Sequence, residues 1–205
     1  MTKLKKFLGS FYVMKKLKVQ DLISIGVYAT VYFFTVFIAT MLMRFTVPVF
    51  HSLLVPSMSA LISGTIYLIV VNKIPKFGAI TIVGSVMAVF FFAFGYFPLA
   101  FLPSFLFPLL ADFVQTKTKI ADKPKIMLSY TIFSFGLTGP ILPLWFMRDA
   151  YIDSLLAKGK DMTYVNSVFE GVSTASFFVS MILVVITSFV GLKIGQIIYN
   201  KHFAK

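Results

Sequence analysis

The residues best suited to chemistry gather in one stretch. Gly139-Pro140-Ile141-Leu142-Pro143-Leu144-Trp145-Phe146-Met147-Arg148-Asp149-Ala150-Tyr151 begins inside an apolar run and ends in charge. Two prolines three residues apart disrupt a helix, because each lacks an N–H and its ring clashes with the preceding turn. The chain's only tryptophan follows, then Arg148, Asp149, Tyr151 and Asp153. A guanidinium can hold a carboxylate through two parallel hydrogen bonds, and aromatic rings stack on flat ligands. The pattern therefore suits a small-molecule site. In it Arg148 would take an anionic group, Trp145 and Tyr151 would form the wall, and Asp149 or Asp153 would hold the guanidinium when the site is empty. Arg44, His51 and Tyr96 fall at the same edge of the apolar runs and complete the expected substrate-binding set. The bland alternative is that Trp and Tyr anchor helices at a membrane surface while Arg-Asp merely ends one.

Several chemistries are excluded. The chain has no cysteine, so thiolate catalysis, disulfides and Cys-ligated metal are absent. His51 and His202 fall at opposite edges and cannot share a metal. No Gly-x-x-x-x-Gly-Lys-[Ser/Thr], Gly-x-Ser-x-Gly or His-Glu-x-x-His motif occurs. No Asp, Glu or Arg lies in the middle of an apolar run, as a proton relay or voltage sensor would need. An intramembrane enzyme is poorly supported, and neither catalytic residues, a metal nor a resident cofactor is expected.

The elements that position these residues are membrane helices. Of 205 residues 59% are hydrophobic and 13% charged, with mean hydropathy +0.92, against roughly 25% charged in soluble domains. Apolar runs predict an all-α, six-helix membrane bundle, with spans near residues 22–43, 49–71, 77–94, 99–114, 126–147 and 172–199. A basic segment at 1–20 precedes the membrane domain of 21–200, and 201–205 form a tail. The first segment reads either as an amphipathic helix on the membrane surface or as a loose basic tail. The first run reads as a retained span rather than a cleaved signal peptide. The longest connection, residues 148–171, lies on the side away from the termini.

Charge sets the orientation. Fifteen of the nineteen basic residues fall on the side of the termini, leaving Arg44, Arg148, Lys158 and Lys160 on the other. The positive-inside rule then places both termini in the cytoplasm of a bacterial cell membrane. The net charge of +12 is an orientation signal, and no nucleic-acid partner is needed to explain it. Small residues mark close helix approach: Gly191-x-x-x-Gly195, Gly84-x-x-x-Ala88, and Ser24, Gly26 and Ala29 as a thin face on the first span.

A family resemblance rests on particular residues. These are Lys18-Val19-Gln20-Asp21, Lys73-Ile74-Pro75-Lys76-Phe77-Gly78, Ala111-Asp112, the stretch from Gly139 to Tyr151, and Lys201-His202-Phe203. From Lys18 onward the chain resembles the Trep_Strep family of S components of energy-coupling factor (ECF) transporters. It departs from the family pattern in Gln115-Thr116-Lys117-Thr118, where a Gly-x-Tyr-Lys turn is common. It also has only Gly26-x-x-Ala29, where vitamin S components carry Ala-x-x-x-Ala. The resemblance implies a substrate-binding subunit that captures a micronutrient outside, vitamin-like or haem-like. It implies as partners a membrane T component and two cytoplasmic ATPases, which bind the ATP and magnesium, with docking through Ser24, Gly26 and Ala29. It also implies delivery by toppling of the subunit in the bilayer. The competing reading is an accessory structural subunit with no ligand of its own.

Overall fold

The computed structural model describes residues 16–203. Most of the basic N-terminal segment, with the helix or tail expected there, lies outside the described residues, as do 204 and 205. Among the described residues all regular structure is helical. Helix α1 is Val19–Thr46, α2 His51–Ile62, α3 Gly64–Lys73 and α4 Ala79–Ala93. A 3-10 turn, Pro98–Ala100, leads into α5, Phe101–Lys117. Helix α6 is Asp122–Ser134, followed by a 3-10 turn Phe135–Thr138 and a short α7, Pro143–Phe146. Helices α8, Arg148–Ala157, and α9, Met162–Phe169, fill the long connection, and α10 is Thr174–His202.

Three of these helices are long and apolar enough to cross a membrane: α1, the Pro98–Lys117 unit and α10. The α2–α3 pair makes a fourth if its two halves count as one span, and α4 is apolar but shorter. Their outer faces carry large apolar side chains such as Phe34 and Phe37 of α1 and Phe178, Ile182 and Ile197 of α10, all more than half exposed. An apolar surface that extensive suits lipid, not water.

The breaks have local causes. Helix α4 ends in a Schellman motif: Gly95 takes φ 65°, its N–H reaches Phe92 O at 3.2 Å, and Tyr96 N–H reaches Phe91 O at 2.9 Å. The Gly95-Tyr96-Phe97-Pro98 break thus falls between the runs expected at 77–94 and 99–114 and separates two helices. The second expected span bends by 48°, at Ser63 rather than at Pro56. There α10 crosses so closely that a Cβ on Gly64 would stand 2.3 Å from Gly191 O, and one on Gly191 would stand 2.2 Å from Ala60 O. The Gly191–Gly195 pair therefore acts as a crossing point. The fifth expected span is interrupted before its prolines, from Phe135 onward. Gly139 there lies against the Ala100 carbonyl, which a Cβ would overlap.

The interior joins aromatic and hydroxyl groups. Tyr130 is fully buried, with its ring 4.9 Å from Tyr67 and its hydroxyl donating to Ala60 O at 2.5 Å. Tyr67 donates to Ser129 at 2.7 Å, and Ser129 stands 2.8 Å from Gln115 Oε1. Buried hydroxyls in an apolar bundle need such partners, since an unmade hydrogen bond costs about 1–3 kcal/mol.

At the basal end, where α1 starts, charges pair. Asp21 accepts from Lys18 N–H at 2.6 Å and from Lys76 Nζ at 2.5 Å. Asp112 of α5 is fully buried and caps the start of α4, accepting from Gly78 N–H at 2.7 Å, Thr81 N–H at 3.1 Å and Thr81 Oγ1 at 2.8 Å. The motifs scattered through the first half of the sequence thus meet in one basal cluster.

Candidate functional site

The opposite, apical end contains a cavity of about 660 Å3. That volume is in the range of small-molecule sites. Its floor is apolar, built from Phe33 and Val36 at mid-length of α1, Pro56 of α2, Met87 and Phe91 of α4, and Leu137. Its mouth is polar. Arg44 comes from the last turn of α1, His51 and Ser52 from the start of α2, and Tyr96 from the Schellman turn. Tyr151 of α8, and Tyr164, Ser167 and Glu170 from α9 and its end, form the roof. The broken fifth segment supplies Pro140, Ile141 and Leu144 to one wall. Irregular backbone at membrane depth is tolerated where it lines a cavity or is buried in protein.

Roof and wall are fastened together. Asp161 caps α9 by accepting from Tyr164 N–H at 2.8 Å, and Gly159, at φ 74°, makes the turn before it. Lys158 Nζ donates to the Gly95 carbonyl, linking the roof to the end of α4. Gly171 rests on the Phe50 ring, 2.7 Å from where a Cβ would stand. His51 Nδ1 lies 2.6 Å from Pro48 O, and its Nε2 lies 3.1 Å from Ser52 Oγ. A carbonyl only accepts, so Nδ1 carries the proton. Burial raises the pKa of Tyr96 and Tyr151 above the ordinary tyrosine value, with Tyr164 adding to it. Both hydroxyls stay protonated at neutral pH and can donate. Among the described residues neither Arg44 nor Glu170 has an ion-pair partner within 4.0 Å.

A family model for hypothetical bacterial integral membrane proteins, Trep_Strep, matches residues 19–205. The chain belongs to this family. No curated protein and no solved structure matches it. As a Trep_Strep protein it is a multi-pass bacterial membrane protein, in keeping with its long apolar helices.

The expected site residues divide in this Trep_Strep chain. Arg44, His51, Tyr96 and Tyr151 come together at the cavity; Arg148, Asp149 and Trp145 do not line it. The Arg148 guanidinium lies 4.9 Å over the Phe169 ring, a cation–π contact on the outside of the roof. Neither Asp149 nor Asp153 pairs with it among the described residues. The cause is backbone direction. Met147, at φ −142° and ψ 46°, ends α7 and turns α8 aside, carrying Arg148 and Asp149 to the surface. Trp145 stands behind the wall. Its Nε1–H donates to Ser173 O at 2.9 Å, its ring lies 5.3 Å from Phe177, and it packs on Leu53, Ile141 and Leu144.

The small-residue trio on α1 does not form one face. Ala29 is buried in the core, Ser24 is half-buried with its hydroxyl on Gln20 O at 3.1 Å, and Gly26 opens onto free space. At 100° per residue Ser24 stands 140–160° around the helix from the other two, while Gly26 and Ala29 lie 60° apart across the border between the open and buried sides. Among the cavity residues the sequence reading missed Tyr164 and Glu170. Their signal was the unusual length of the 148–171 connection, without any hint of which side chains turn inward.

Proposed function

We propose that this protein is the substrate-capturing S component of an ECF-type importer, binding a micronutrient in the apical cavity. The observation that carries this reading is the cavity itself: about 660 Å3, apolar below and polar at the mouth, roofed by two short helices. A largely apolar cleft of that size with a few convergent polar groups is the usual form of a small-molecule site. In this reading the chain crosses the membrane six times, with α2–α3 as one bent span and α6–α7 as one broken span. Both termini are cytoplasmic and the cavity faces outside. A T component and two ATPases drive release inward. Of the first-span trio Gly26, on the open face of α1, and the half-buried Ser24 remain available as docking contacts, while Ala29 is buried.

Native mass spectrometry of the purified protein tests the reading. A small molecule should accompany the wild-type chain and be absent from the Val36→Trp variant, which fills the floor. Equal spectra with no adduct in either would remove the capture function and favour the accessory role. Orientation is tested by Ser154→Cys, a single thiol in a cysteine-free chain. An impermeant maleimide should label it from outside intact cells.

A further inference from the structure

Charge at the cavity mouth specifies the ligand further, given the capture reading. The mouth holds two opposite charges of the protein, Arg44 and Glu170, and among the described residues neither is paired. They belong to different walls, the end of α1 and the end of α9, yet both line the one cavity with His51 and Ser52 of α2, and Gly171 next to Glu170 rests on Phe50 at the start of α2. His51 is satisfied locally by Pro48 O and Ser52. The floor below has no charged residue. A neutral ligand closing this mouth would strip water from two charges and return nothing, which is costly. A plain anion would meet Glu170, and a plain cation would meet Arg44. Only a ligand carrying both signs at one end answers both.

We propose that the cavity selects a zwitterionic ligand, an aromatic or otherwise apolar body whose one end bears a carboxylate at Arg44 and a protonated amine at Glu170. The body fills the floor between Val36, Met87, Phe91 and Leu137, and the two-charge head stays at the mouth with the tyrosine hydroxyls.

A matched ligand series decides it. Nε-dansyl-lysine carries both charges, dansylcadaverine lacks the carboxylate, dansyl-aminohexanoate lacks the amine, and N-pentyl dansylamide lacks both. Trp145 is the chain's only tryptophan and packs on the cavity-wall residues Ile141 and Leu144, so its emission reports a dansyl group in the cavity by energy transfer. Dansyl dissolved in lipid quenches without saturation, so the saturable part is read, on the full chain in lipid nanodiscs. Dansyl-lysine should bind best. Deleting the carboxylate should weaken binding roughly tenfold in wild type but not in Arg44→Gln, and Arg44→Lys should keep part of the difference. Deleting the amine should weaken binding about 3- to 10-fold in wild type but not in Glu170→Gln. Equal binding of all four ligands would overturn the zwitterion proposal and leave capture by the cavity standing. Dependence on Arg44 with none on Glu170 would also overturn it, in favour of a simple carboxylate. No saturable quenching by any of the four, together with no co-purified molecule, would overturn both readings.

Discussion

The two ends of the bundle handle charge in opposite ways. At the basal end Asp21 is paired with Lys76, and Asp112 takes three hydrogen bonds on Oδ2, its buried Oδ1 having no partner among the described residues. At the apical end Arg44 and Glu170 stand without ion-pair partners among the described residues, over an apolar floor. Polar groups bonded across elements hold those elements together. Exposed ones such as Arg44 and Glu170 keep their water and add little to stability. The contrast separates an end whose polar groups join elements of the fold from an end whose charges are left open at the cavity mouth.

Breaking the basal end should have the largest effect. Asp112→Ala removes the acceptor for three donors at a fully buried site and should cost about 3 kcal/mol, the upper range for hydrogen bonds to a charged group. A thermal melt in nanodiscs should show a steeper fall than for any charge variant at either end, with Asp112→Asn falling less. Lys76→Met breaks one partly exposed ion pair, so its melting temperature should drop by clearly less than that of Asp112→Ala. At the other end Arg44→Gln should change stability by no more than about 0.5 kcal/mol, as for an exposed residue without partners. Its effect should appear in ligand binding alone. An Arg44→Gln melt as depressed as that of Asp112→Ala would erase the contrast.

The smallest effect concerns pH. Tyr96 and Tyr151 have folded pKa values raised above the free value of about 10. Their contribution to stability is thus complete below pH 10 and is lost as pH rises through the higher folded values. Melts at pH 7 and pH 9 should agree as far as these groups are concerned. Ultraviolet titration of wild type against Tyr96→Phe and Tyr151→Phe should place both hydroxyls among the later to ionise.

What the sequence made legible follows from the range of each signal. Apolar runs marked the main helices, and Gly95-Tyr96-Phe97-Pro98 marked a stop, because a Schellman turn is written in adjacent residues. Arg44, His51, Tyr96 and Tyr151, which the structure brings to the cavity, could be picked out because each sits at the edge of an apolar run. Arg148 was misplaced because its charge is visible in the sequence while the backbone turn at Met147 is not. The bend at Ser63 was missed because its cause, the crossing of α10 at Gly191, lies far along the chain. The basal cluster was visible only as separate motifs, since nothing in Lys18, Lys76 or Asp112 alone shows that they share one end.

The crossing of α10 over the α2–α3 bend also has a genetic consequence. Every missense change of a glycine codon adds at least a Cβ. At Gly64, Gly191 and Gly195 that atom would stand within 2.6 Å of backbone on the neighbouring helix. No amino acid other than glycine fits any of the three without moving a helix. Gly26 meets nothing within 4 Å, and alanine there should raise helix stability by about 0.5–1 kcal/mol. In a saturation screen for folded protein the first three positions should be intolerant of every substitution, while Gly26, in the same membrane domain, accepts nearly any apolar residue.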